Sequence, residues 1–216
     1  MKRAWLLAVV IGAAGCAGRP AAPDWQLNAH DSLKRHVASA LAGADRAAAA
    51  EFARARAELA STGQAGLVAR AELTRCAVLV ASLVFEPCTD FDPLRADAGA
   101  AEGAYADYLA GRLTADQVPL LPPPHRAVAR GAAGAQAVRA IEDPLSRLVA
   151  AGVLFRTGRA DPEVLALASD TASAQGWRRP LLAWLGVQAL RAEQAGDAAQ
   201  AQRLRRRMAL AAGERQ

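Results

Sequence analysis

Fifty-seven of the 216 residues are alanine. A side chain that ends at Cβ has no rotamer freedom to lose, so alanine is the best helix former. It also lets helices approach closely, which favours tight packing over voids. β-Branched residues are sparse and aromatics make up 5% of the chain, which leaves little material for sheet faces. Charged residues stand at 22% against 53% hydrophobic, a balance that excludes disorder by composition. The expected fold is all-α, in one or two small domains.

The first residues read as an address. Lys2 and Arg3 precede an apolar run from Ala4 to Ala14, interrupted by Gly12. That run is too short to cross a bilayer as a helix, which takes about 20 residues, and it has the form of a signal peptide over 1–15. Ala13-Ala14-Gly15-Cys16 then resembles a bacterial lipobox, with Ala13 where that pattern prefers leucine. The resemblance implies cleavage before Cys16 and acylation of that cysteine, palmitate included. Residues 16–23 become the lipidated cysteine and a tether, since its prolines and glycines cannot propagate a helix. Acyl chains contribute about 0.8 kcal/mol per buried CH₂, so several together hold a chain on a membrane. In such lipoproteins the residue after the cysteine influences sorting. Ala17 is not aspartate, which implies the outer membrane of a Gram-negative bacterium, periplasmic side.

Charge gives a weaker constraint. The whole chain carries +5, falling to +3 once Lys2 and Arg3 are removed, which is insufficient to argue for nucleic acid. Export also makes a disulfide the default for the two remaining cysteines, Cys76 and Cys88. Helix is expected to continue from Gln64 to about Phe85, carrying the chain roughly 13.5 Å beyond Cys76. Bridged Cα atoms lie about 4.4–6.8 Å apart, so a bridge requires the chain to double back at Glu86-Pro87. Otherwise the pair are buried thiols acting as small apolar residues.

Helical spacing organises the rest. Trp25, Ala29, Leu33, Val37 and Ala40 form one stripe, closed by Gly43. Asp45 reads as an N-cap before Ala48, Phe52, Ala55 and Leu59, closed by Thr62-Gly63. The run Cys76 to Phe85 is apolar on every side and is expected to be buried all round. Tyr105, Tyr108 and Leu109 lie on a short helix ending at Gly111, and Thr114 caps a further turn. Pro119 and Pro122 to Pro124 cannot be helix interior, so 119–124 is read as a linker between helical halves at 24–118 and 125–213. The second half opens with a helical segment interrupted by Gly131 and Gly134. Leu145 to Phe155 then forms a helix, and Asp161-Pro162 starts the next. Pro180 opens another, and Gly196-Asp197 separates it from the last.

The recurrent helix, glycine turn, helix pattern resembles tetratricopeptide (TPR) repeats. Gly43, Ala48, Phe52 and Ala55 have that family's spacing, as do Ala189, Gly196 and Ala201, and Ala151, Leu154 and Gly158 fit in part. The family's first-helix tryptophan and tyrosine are missing, and Arg205 stands where it places a large aromatic. The resemblance implies antiparallel hairpins in a TPR-like α-solenoid; small residues at helical spacing also suit an irregular helical bundle.

No catalytic constellation stands out. His30 and His36 face different sides of one helix and read as surface or boundary residues, and His125 as a loop residue. Two cysteines without a histidine nearby supply too few ligands for a metal, and no cofactor motif occurs. Glu51, Glu58 and Glu72 have arginines at helical spacing and read as ion pairs on solvated faces. Two features remain as candidate partner-binding sites. One is Arg203, Arg205, Arg206 and Arg207, which either complement a helix C-terminus or meet an anionic surface. The other is the aromatic set Tyr105, Tyr108, Trp177 and Trp184, which either packs or anchors a peptide. The expected role is non-catalytic: a lipid-anchored module that binds or scaffolds another envelope protein. A peptidoglycan-acting enzyme or activator would need Glu86, Asp90 and Asp92 to converge in a cleft. A small-ligand carrier would need a large apolar pocket.

Overall fold

The structure, a computed structural model, describes residues 22–132 and 134–213. The signal segment, Cys16 and most of the tether lie outside those residues. Among them the chain forms ten α-helices, two 3-10 helices and no strand. The α-helices are α1 (Asp24–Ala42), α2 (Asp45–Ala60), α3 (Ala65–Ala81), α4 (Ala100–Leu109), α5 (Pro123–Ala129), α6 (Gly134–Arg139), α7 (Pro144–Arg156), α8 (Pro162–Ala174), α9 (Arg178–Gln194) and α10 (Ala198–Ala212). The 3-10 helices cover Asp92–Leu94 and Ala115–Leu120. The alanine-rich sequence therefore yields the all-α fold that its propensities dictate. No helix of the described residues is long and apolar enough to cross a membrane.

The helix ends follow the side chains that satisfy them. Gly43 adopts a left-handed conformation (φ +81°) that closes α1. Asp143, Asp161 and Asp197 each accept a hydrogen bond from the backbone N–H three residues on, opening α7, α8 and α10. Proline follows the first two caps, where its missing N–H costs nothing. Thr114 and Gln117 form a reciprocal capping box. Asp45 is not an N-cap: Ala44 holds that position, and Asp45 is the first helical residue, paired with Arg179 at the start of α9. That ion pair brings the first hairpin against the last part of the chain.

α3 is the hub. Between Cys76 and Ala81 it is buried on nearly every side, and α7 packs across it. It ends four residues earlier than the apolar run suggests. Leu83 takes a left-handed conformation (φ +59°), its N–H bonding the Val80 carbonyl while the Val84 N–H reaches Leu79. The chain thus doubles back at Leu83, not at Glu86-Pro87. This reversal places the Cα atoms of Cys76 and Cys88 5.9 Å apart, and the two are bonded.

From α7 onward each helix packs on the next, and α1 returns to touch α9. One hydrophobic cluster extends from Ala69 on α3 to Trp184 on α9. The proline-rich stretch does not stand apart from it. Leu121 is fully buried in that cluster, Pro119 sits within a 3-10 turn, and Pro123 and Pro124 form the first turn of α5. Phe52, in the α2 stripe, is only half-buried, between the His36 ring and the Arg75 guanidinium.

Candidate functional site

An apolar concavity lies where α1, α3 and α4 meet the Ala115–Leu120 turn. It consists of two adjoining hollows. One, of about 320 Å³, is lined by Trp25, Leu27 and Leu33 of α1 with Leu59 and Leu67. The other, of about 410 Å³, is lined by Leu73, Tyr105, Leu120, Leu121, Pro122 and Pro123. Arg70 and Thr74 of α3 border both. The hollows thus adjoin along α3 as one groove, with Leu27 (52% exposed) lining the first and Leu120 (41% exposed) the second. Large apolar side chains left in water on the walls of an apolar depression suit an interaction surface.

The polar groups at the middle of the groove are already engaged. Arg70 Nε donates to Glu102 Oε1 at 2.6 Å, and this bond holds the Glu102 carboxyl below its ordinary pKa. The Thr74 hydroxyl donates to the Arg70 carbonyl at 2.9 Å. What the groove offers a partner is thus chiefly apolar surface with a bridged ion pair at its waist. An occupant would be oriented by burial, since exposed ion pairs contribute little.

Behind the groove sits an aromatic trio. The His125 ring lies 5.6 Å from Tyr105 and 5.0 Å from Tyr108, centroid to centroid. His125 is buried on α5 and is not the loop residue expected from the prolines before it, because those prolines start a helix. Its Nδ1 and the Tyr108 hydroxyl have no hydrogen-bond partner among the described residues. Burial pushes both tyrosine phenols up, and it pushes His125 down to about 4 against an opposing pull from Asp143.

This sets a pH dependence. An unfolded histidine takes up its proton near pH 6.5, while His125 in the fold stays neutral down to about pH 4. Its contribution to stability is complete above pH 6.5 and is lost as the pH falls toward 4, by up to about 3 kcal/mol. Buried His36, also lowered by desolvation, adds in the same direction. Urea unfolding of the protein and of His125→Phe between pH 7 and 4.5 should show a flatter profile for the variant. Parallel profiles would contradict the assignment.

The other candidates separate clearly. Trp184 and Tyr108 are not partner-facing: both are fully packed in the core, Trp184 with its indole N–H donating to the Ala81 carbonyl at 3.1 Å. Tyr105 and Trp177 are half-buried against the same cluster, and of the four aromatics only Tyr105 reaches the groove. Arg203, Arg205, Arg206 and Arg207 are all exposed on α10. None occupies its last turn, so they do not serve as a C-terminal charge cap. Glu86, Asp90 and Asp92 are exposed, and Asp90 pairs with Arg75. His30 is exposed, whereas His36 is buried with Nδ1 bonded to the Ala48 carbonyl at 2.9 Å.

Glu51 pairs with Arg54 at the expected helical spacing and also with Arg35 of α1, whereas Glu58 accepts a hydrogen bond from Asn28 and, among the described residues, not the ion pair its spacing suggests. Glu72 differs. It is 1% exposed, and Arg56 at 2.9 Å and Arg75 at 3.1 Å, exposed and half-buried respectively, reach its enclosed carboxylate, so the carboxylate does not lie on a solvated face. Among the described residues no group of histidine, cysteine and carboxylate side chains can hold a metal ion. Sequence reasoning missed the groove residues Leu27, Arg70, Glu102 and Leu120. Leu27, off the apolar stripe of α1, was the one available signal. No protein-family model, curated protein or solved structure matches this chain.

Proposed function

We propose that this chain is a lipid-anchored envelope protein, facing the periplasm from the outer membrane, whose helical body holds a partner protein in the α1–α3–α4 groove. The groove with Leu27 and Leu120 exposed on its walls carries the binding part of this reading. The lipobox-like residues before Cys16 supply the anchor, and the Cys76–Cys88 bond suits an oxidising compartment. The stacking of α7 to α10, each helix on the next, is an order that TPR-like hairpins share with a plain helical bundle. The return of α1 onto α9 makes the assembly closer to a closed bundle than to an open solenoid. The partner is a protein segment with apolar side chains spaced to cover both hollows.

Two measurements test this. Cys16→Ser should move the protein from the membrane fraction to the soluble fraction; retention in the membrane would remove the anchor. A photo-crosslinking residue at Leu120 should form an adduct with one envelope protein in intact cells. A probe at exposed Arg130 should not, and Leu27→Glu should abolish the Leu120 adduct. Equal crosslinking from both probes, or an adduct that survives Leu27→Glu, would rule the groove out.

A further inference from the structure

We propose that the outer face of α10 docks on an anionic lipid surface. α10 packs against α9 and against no other helix to a comparable extent, through Ala201, Leu204 and Met208. Its opposite face carries Arg203, Arg206, Arg207 and Leu210, which share one side of the helix at spacings of three and four. Leu210 is 67% exposed, beside three cationic side chains. Arg205 is neutralised by Glu193 of α9 at 2.6 Å, and Arg203 only hydrogen-bonds Gln200. Among the described residues Arg206 and Arg207 make neither an ion pair nor a side-chain hydrogen bond.

The charge of this face decides its occupant. A second copy of the same face would bring like charges together, so self-association through it is disfavoured. An anionic partner is required. A leucine projecting among arginines then selects a bilayer over a soluble polyanion. Arginine stems can lie along the headgroup boundary with their guanidinium groups on phosphates while Leu210 enters the apolar layer. A soluble polyanion gains nothing from that leucine. On a protein already held by acylated Cys16, this contact would set the orientation of the body, and with it the direction in which the groove faces. The inference itself stands apart from the anchor and the groove, because acyl-free protein tests it.

The experiment is vesicle co-sedimentation of residues 16–216 carrying Cys16→Ser. The vesicles are one part phosphatidylglycerol to two parts phosphatidylethanolamine, or phosphatidylcholine alone. Binding is expected to the anionic vesicles and not to the neutral ones, and to weaken steeply with salt. Each arginine near an anionic surface is worth about fivefold in binding. The pair Arg206→Gln and Arg207→Gln should therefore weaken binding about 25-fold, with an unchanged helical spectrum. Leu210→Ser should also weaken vesicle binding while leaving binding to soluble polyglutamate unaltered. Absence of binding to anionic vesicles, equal binding to neutral ones, or insensitivity to the arginine pair would overturn the proposal. Vesicle binding untouched by Leu210→Ser would overturn the entry of Leu210 into the apolar layer, and with it the argument that selects a bilayer over a soluble polyanion.

Discussion

Truncating Trp184 to alanine should lower the unfolding free energy by about 3–5 kcal/mol, the range for deleting a large aromatic from a packed core. The side chain is completely inaccessible and meets Phe155 edge-on at 5.9 Å. It also serves a backbone group 103 residues away in sequence. Its indole N–H donates to the carbonyl of Ala81, the last residue of α3. A terminal helix carbonyl has no partner of its own in the helix, and one left buried without a donor costs about 1–3 kcal/mol. Trp184→Phe separates the two contributions: it keeps most of the apolar contact and removes the donor. Urea denaturation should place Phe between the wild type and Ala. An alanine variant within about 1 kcal/mol of wild type would mean that Trp184 is not the link between α9 and α3 described here.

The second large effect lies one residue away on α3. Gly152 of α7 faces the backbone of Val80. A Cβ at this position would stand 2.4 Å from the Val80 carbonyl oxygen and 2.9 Å from Val80 Cγ1. The oxygen belongs to a buried helix and cannot swing aside, so α7 would have to lift from α3. Gly152→Ala is expected to cost about 3 kcal/mol or more, the upper end for overpacking. Gly186 provides the comparison. It too lies inside a helix, yet its Cβ would meet only the flexible tip of Met208 at 3.7 Å. Replacing it should stabilise by roughly 0.5–1 kcal/mol, as helix propensity alone predicts. Opposite signs for the two substitutions are the expected outcome; the same sign for both would refute the close crossing of α3 and α7.

The two substitutions also show how far the sequence reaches. Both glycines look alike in one dimension, as do Glu51 and Glu72, each with arginine at helical spacing. One carboxylate of that pair is half-buried and the other is enclosed. His36 and Ser32 occupy the buried face of α1 beside Ala29 and Ala40, although a search for apolar stripes passes over them. The burial of His36 is matched by the Ala48 carbonyl that α2 brings to its ring. The groove was illegible for the same reason: Leu27, Arg70, Glu102 and Leu120 come from separate elements, and none belongs to a local pattern.

Local chemistry determined the all-α class, most helix boundaries, the glycine and aspartate punctuation, and the enclosure of the run after Cys76. It did so because propensity, capping and periodicity act between residues within about two helical turns. Tertiary structure alone decided the early end of α3 at Ala81 and the reversal at Leu83, the burial of Trp184, Tyr108 and His125, and the placing of two hollows side by side. Those outcomes rest on contacts between segments scores of residues apart, whose free energy comes from shared packing and from satisfying one segment's backbone with another's side chain.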